Sequence, residues 1–154
     1  MKQKKLTKEE VKEGFVNWVF NDGGRIEAGF KGETNDCVTR AVSIVTEKTY
    51  LEVYSELNEL CKSNQFRKVK GNARKGIPKR VSRKYLETLG WEWKPTMAIG
   101  TGCHVHLRPE ELPKGVIICK LSKHLVAVKN GIIQDTHDCS RKGTRCVYGY
   151  WKKK

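Results

Sequence analysis

Ser122-Lys123-His124-Leu125-Val126-Ala127-Val128-Lys129-Asn130-Gly131-Ile132-Ile133-Gln134-Asp135 decides how the rest of this chain is read. Asn-Gly between two apolar runs is the strongest short-range hairpin signal, because both residues accept the positive φ that a two-residue turn requires. With Asn130-Gly131 as the loop, Lys129 faces Ile132, Val126 faces Asp135 and His124 faces His137. Alternation then puts His124, Val126, Val128, Ile133, Asp135 and His137 on one face. Asp135 is the diagonal neighbour of His124, with backbones roughly 7–8 Å apart and side chains within reach. A carboxylate so placed accepts from one ring nitrogen, fixes the tautomer and stabilises the imidazolium. The other nitrogen is left to take a proton from a nucleophile. The reading depends on register, since a slip of one residue sends the two side chains to opposite faces. His137 competes as the base; His124 is preferred because Asp138, beside His137, alternates to the other face.

The nucleophile that fits is Cys37. Thr34-Asn35-Asp36 supplies cap residues, and Val38, Ala41, Val42 and Val45 follow at helical spacing. This β-branch-rich helix cannot stand alone, so it belongs in the core. A thiol in its first turn feels the positive end of the helix dipole and nearby free N–H groups, which favour the thiolate. Asp36 opposes that ionisation, and a neighbouring imidazolium outweighs it. The bland alternative is a half-buried cysteine that only packs.

Outward from these two segments, Thr7-Lys8-Glu9-Glu10 is a capping box before Val11, Phe15, Trp18 and Val19 at helical spacing, so residues 1–30 read as a helix and turn. Thr49-Tyr50-Leu51-Glu52 is a second capping box, opening a helix with Val53, Leu57 and Leu60 inward. Residues 62–84 hold ten Lys or Arg and no Asp or Glu. They read as a mobile basic loop over 62–80, running into a helix from near Pro78 that stops at Gly90. Thereafter the period shifts towards two: Trp91 to Lys94, Cys103 to Leu107, Val116 to Leu121, Leu125 to Val128, Ile132 to Thr136 and Cys146 to Trp151. Residues 152–154 read as a frayed tail. Helices first and strands later predict α+β with an antiparallel sheet, in one domain over residues 1–154.

The chain has 154 residues, enough for a core without staples, and a formal net charge of +14. Such a charge suits an acidic partner: nucleic acid, an anionic surface or an acidic protein. No apolar run is long enough to span a membrane, and no signal peptide follows the basic start. The six cysteines are read as free thiols in a reducing, cytoplasmic compartment.

Asn35-Asp36-Cys37-Val38-Thr39-Arg40-Ala41, Ser122-Lys123-His124-Leu125-Val126-Ala127-Val128 and Gly131-Ile132-Ile133-Gln134-Asp135 together resemble papain-like cysteine peptidases, in particular the small bacterial and phage-encoded members related to bacteriocin leader-processing peptidases. The resemblance spans roughly residues 30–136. It implies a papain-like α+β fold, with Cys37 as nucleophile, His124 as general base and then acid, and Asp135 as orienter. It implies hydrolysis of a peptide, isopeptide or side-chain amide, with no cofactor and no metal. Such peptidases usually carry a Gln about six residues before the cysteine. Position 31 here is Lys, and Asn35 is the nearest amide that can serve as oxyanion donor, with the Cys37 N–H.

Two other constellations compete. Cys103-His104-Val105-His106 has metal-type ligands, with Cys139 and Cys146 as further donors, but no CxxC motif and no clear partner pair. The basic stretch 62–84, with Phe66, Tyr85, Trp91 and Trp93 in or near it, is the nucleic-acid candidate; at their spacing these aromatics also suit the core. The rival to a hydrolase is therefore a non-enzymatic basic protein that uses the fold to grip nucleic acid or an acidic host protein.

Overall fold

The computed structural model describes residues 18–32, 34–66 and 70–154. Three helices and a six-stranded mixed sheet make an α+β architecture. Strand β1 is Trp18–Phe20, helix α1 Cys37–Val45, helix α2 Tyr50–Lys62 and helix α3 Lys79–Thr88. The remaining strands are β2 Trp91–Pro95, β3 Val116–Leu121, β4 His124–Lys129, β5 Ile132–Asp135 and β6 Gly149–Lys153. Their order across the sheet is β1-β5-β4-β3-β6-β2.

The hairpin at Asn130-Gly131 forms with the expected register: Lys129 pairs with Ile132, Val128 with Ile133 and Ala127 with Gln134. Asn130 and Gly131 have φ of 50° and 78°, the left-handed conformations the turn demands. Gly131 also faces Pro109, whose Cα would lie 3.0 Å from any added Cβ.

Several expectations are corrected. The helix proposed to run through Trp18 and Val19 does not; those residues form β1, parallel to β5, so the sheet is mixed, and among the described residues one strand precedes the helices. The Thr7-Glu10 capping box lies outside the described residues. Cys103 to Leu107 makes a single bridge, His106 to Cys146, in place of a strand. The tail is not frayed, because Lys152 and Lys153 pair with Glu92 and Trp91 and the Lys154 N–H donates to the Gly90 carbonyl at 2.9 Å.

The basic segment is likewise tied down where it is described. Asn72 bridges Gly76, the Ala73 N–H donates to Asn58 Oδ1 at 2.8 Å, and Thr39 Oγ1 donates to the Ala73 carbonyl at 2.7 Å. Ala73 is fully buried, and the Arg74 guanidinium lies over the Phe30 ring. Helix propensity alone would not reveal this: the anchors are single polar atoms on α1 and α2.

One face of the sheet carries Ile118, Leu125, Ala127 and Trp151 against Val38, Ala41 and Val42 of α1 and Val53 and Leu57 of α2. The opposite face carries Ile117, Cys119, Val126, Val128 and Ile133, covered by Leu107, Leu112, Cys139 and Val147. A sheet buried on both faces explains the continuous apolar runs of β3 and β4. Thr49 and Glu52 make the reciprocal capping box of α2 as read.

Candidate active site

Antiparallel pairing puts the first residue of β4 and the last of β5 at the same end of the sheet. There His124 and Asp135 reach past the strand ends to the start of α1, which packs on that sheet. His124 Nε2 lies 2.7 Å from Asp135 Oδ2. Its ring also lies beside the thiol of Cys37, close enough that each favours the charged form of the other. His124 and Asp135 are therefore in contact, as the hairpin register implies, and the thiol of Cys37 lies beside the ring.

The thiol–imidazole pair is electrostatically polarised. Burial pushes the Cys37 thiol up, but the hydrogen bond and positive charge of His124, with help from the Leu125 backbone and Arg40, hold it below its ordinary value. Burial disfavours charge on His124 as well, yet Asp135, Cys139 and Cys37 raise it to about 11. Asp135 also resists burial and lies below the usual carboxylate range, held there first by His124 and then by Arg40. Each group favours the charged form of the next.

A buried network that sequence reasoning missed supports this set. Asp36, expected to cap α1, makes no side-chain cap. Its carboxylate accepts from Arg40 Nε at 3.0 Å, from Arg25 Nη1 at 3.2 Å and from the Tyr50 hydroxyl at 2.7 Å. Arg40 reaches on to pair with Asp135 through Nη1. Two guanidinium groups thus face two carboxylates, one of which also holds the His124 ring. The opposition expected from Asp36 is removed by its two arginines. A signal existed: Asp36 and Arg40 are spaced i, i+4 in an otherwise apolar helix.

Cys37, His124 and Asn35 line a cleft of about 600 Å³. Asn35 is exposed beside the thiol, and the Cys37 N–H, at the first helical residue, has no intrahelical acceptor. His137 follows β5, is exposed, and its ring centroid is 5.8 Å from that of His124. Asp135 bonds His124, which favours His124 over His137 as the oriented ring. Cys139 also lies near His124, but it is 2% exposed and burial pushes its thiol up, so Cys37 is the thiol that reaches the cleft.

The competing constellations fare differently. Cys103 and Cys146 form a disulfide, which corrects the reading of all six thiols as free; Cys37, Cys61, Cys119 and Cys139 are free. The cause is local: the His106–Cys146 bridge and the bond from the Val147 N–H to the Val105 carbonyl lay the two segments side by side. That bond removes two of the metal-type donors, and His106 instead meets Glu111 at 3.1 Å. Among the described residues the ligand atoms that cluster are those of His124, Asp135 and His137. Phe66, Tyr85 and Trp91 are buried in the core and present no face to a base. No helix among the described residues is long and apolar enough to cross a membrane. Comparisons with protein-family models, curated proteins and solved structures return no match.

Proposed function

We propose that this chain is a papain-like cysteine hydrolase of the cytoplasm that cleaves a peptide, isopeptide or side-chain amide bond. The observation that supports it most is the hydrogen bond between His124 and Asp135 with the Cys37 thiol beside the same ring, Cys37 and His124 both lining one cleft. In this reading the Cys37 thiolate attacks the amide carbonyl, and the oxyanion is met by the Cys37 N–H and the Asn35 amide. His124 delivers its proton to the leaving nitrogen, giving an acyl-thioester. It then takes a proton from water, which releases the acid and restores the pair. Asp135 holds the ring throughout without itself becoming protonated. In the cytoplasm the Cys103–Cys146 bond would be kept reduced, while Cys37 is free in either state.

A second reading, a non-enzymatic basic protein that grips nucleic acid or an acidic host protein, is favoured by the net charge of +14 alone. Incubation with a peptide mixture, with products identified by mass spectrometry, separates the two. The hydrolase reading expects cleavage by the wild type, none by Cys37→Ala, and a thioester trapped on Cys37 at low pH. Cleavage that persists in Cys37→Ala, or no turnover together with no covalent capture by a peptide aldehyde, would overturn it.

A further inference from the structure

The walls of the cleft carry a charge pattern that the proposed hydrolysis does not use. Lys75 comes from the anchored basic segment, Lys79 and Arg83 from α3, Lys120 from β3 and Lys123 from the turn into β4. No carboxylate lines the cleft. Arg83 pairs with Glu87 at 3.1 Å, whereas Lys75, Lys79, Lys120 and Lys123 have no ion pair among the described residues. The acidic residues nearest the thiol, Asp36 and Asp135, are 1% exposed and committed to Arg25, Arg40 and His124. Among the described residues these four lysines therefore face the cleft without a carboxylate partner, Cys37 being the one acidic group that acts on Lys120.

Lys123 is the sharpest case. It sits in the two-residue turn between Leu121 and His124 with φ of 55°, a left-handed conformation that favours glycine. A lysine there places a cation next to the base at a backbone cost that glycine would avoid. Lys120 is half-buried, and burial, with Lys79 and Arg145, lowers its affinity for a proton despite the opposing pull of Cys37, so a further anion in the cleft would stabilise it.

Between the cations the surface is apolar: Val38, Ile77, Trp93, Leu125 and Trp151. Trp93 and Trp151 lie with ring centroids 5.4 Å apart. Trp151 is only 6% exposed, and no row of open aromatic faces follows the cations as a single strand of nucleic acid would need. A mixed apolar and cationic lining suits a polypeptide with a bulky apolar side chain among carboxylates.

We propose that the cleft binds an acidic polypeptide segment, with Asp or Glu on both sides of the bond presented to Cys37 and an apolar residue seated against the half-buried Ile77 and Trp93. This rests on the hydrolase reading for the role of Cys37, but the binding itself can be measured without turnover.

The test uses Cys37→Ala and fluorescence anisotropy with three peptides sharing one central Phe, flanked by Glu, by Gln or by Lys, and with a single-stranded oligonucleotide of the acidic peptide's charge. The Glu peptide is expected to bind at least about tenfold more tightly than the Gln peptide, with affinity falling as salt is raised. Lys75→Glu with Lys79→Glu should reverse the order of the Glu and Lys peptides. Lys123→Gly relieves the turn, so it should fold at least as well as wild type while weakening the Glu peptide about threefold, the scale of one exposed ion pair. Equal binding of the three peptides, or indifference to the lysine variants, would overturn the inference. So would an oligonucleotide that protects wild-type Cys37 from alkylation better than the Glu peptide does. If the Glu peptide binds as described yet wild type leaves it uncut, the hydrolase reading fails and the acidic-peptide site stands.

Discussion

His124 Nε2 lies 2.7 Å from Asp135 Oδ2, and the same carboxylate is held from its other oxygen by Arg40. The carboxylate is thus fixed from two sides, by the imidazole and by a guanidinium from the helix that carries Cys37; in the proposed hydrolase it is the group that orients the ring. Asp135→Asn keeps the shape but presents an amide to the ring and loses the charge that stabilises the imidazolium. Hydrolysis should fall by roughly 100- to 10,000-fold. The His124 titration, followed by ring-proton NMR, should drop well below about 11. An unmoved titration would show that Asp135 does not govern the ring.

Arg40 joins Asp36 and Asp135, both nearly inaccessible to water. Arg40→Met leaves two buried carboxylates undercompensated, so a loss of about 3–5 kcal/mol is expected from chemical denaturation. Arg40→Lys keeps the charge but gives up the planar fork that reaches both carboxylates, and should lose less. Equal stability of Arg40→Met and wild type would contradict the network.

The signs of the pH dependence follow from the same pair. Asp135 is lowered on folding, so its contribution is present above its ordinary value of 3.8 and is lost as pH falls through the depressed one. His124 is raised, so its contribution is complete below 6.5 and is lost progressively up to about 11. Cys37 is lowered, so its contribution grows as pH rises from the depressed value and is complete above 9.0, against the histidine. With Cys37 as thiolate and His124 as imidazolium, the folded pair holds the same single proton as the unfolded pair between pH 6.5 and 9, so the urea midpoint should stay nearly flat there in wild type and decline in Cys37→Ala, which leaves the raised histidine without its counterpart. Parallel declines in the two proteins would assign the effect elsewhere.

The disulfide closes a span of 43 residues that excludes Cys37 but includes β3, β4 and β5. Cys103→Ser should lower stability by about 2–4 kcal/mol under oxidising conditions. The alkylation rate of Cys37 should be unchanged, because the bond touches neither the thiol nor its partners. A large change in that rate would reveal coupling along Arg145, whose side chain meets the Ser122 carbonyl at 2.5 Å, two residues before His124.

Local chemistry made much of this site legible. Asn130-Gly131 set the register, and register brought His124 to Asp135; the capping box at Thr49 and the stop at Gly90 stand where their residues indicate. What escaped reading depends on distant partners. Trp18–Phe20 has a helix-compatible spacing, yet a free edge of β5 recruits it as a strand. Asp36 has the chemistry of a helix cap, but Arg25 and Tyr50, each more than ten residues away, draw its carboxylate inward. Lys152 to Lys154 look like a solvated tail, and only the pairing of β6 with β2 orders them. The bond between Cys103 and Cys146 likewise follows from a single bridge that no spacing rule announces.

The most direct measurement is the pH profile of Cys37 alkylation by iodoacetamide, resolved by peptide mass spectrometry, in wild type and in His124→Ala. A thiolate–imidazolium pair requires Cys37 to react far faster than Cys61, Cys119 and Cys139 near neutral pH, with a midpoint below the ordinary thiol value of 9.0 that shifts upward once the ring is removed. A Cys37 that titrates like an unperturbed thiol, with the same profile in His124→Ala, would contradict the pairing of sulfur and ring.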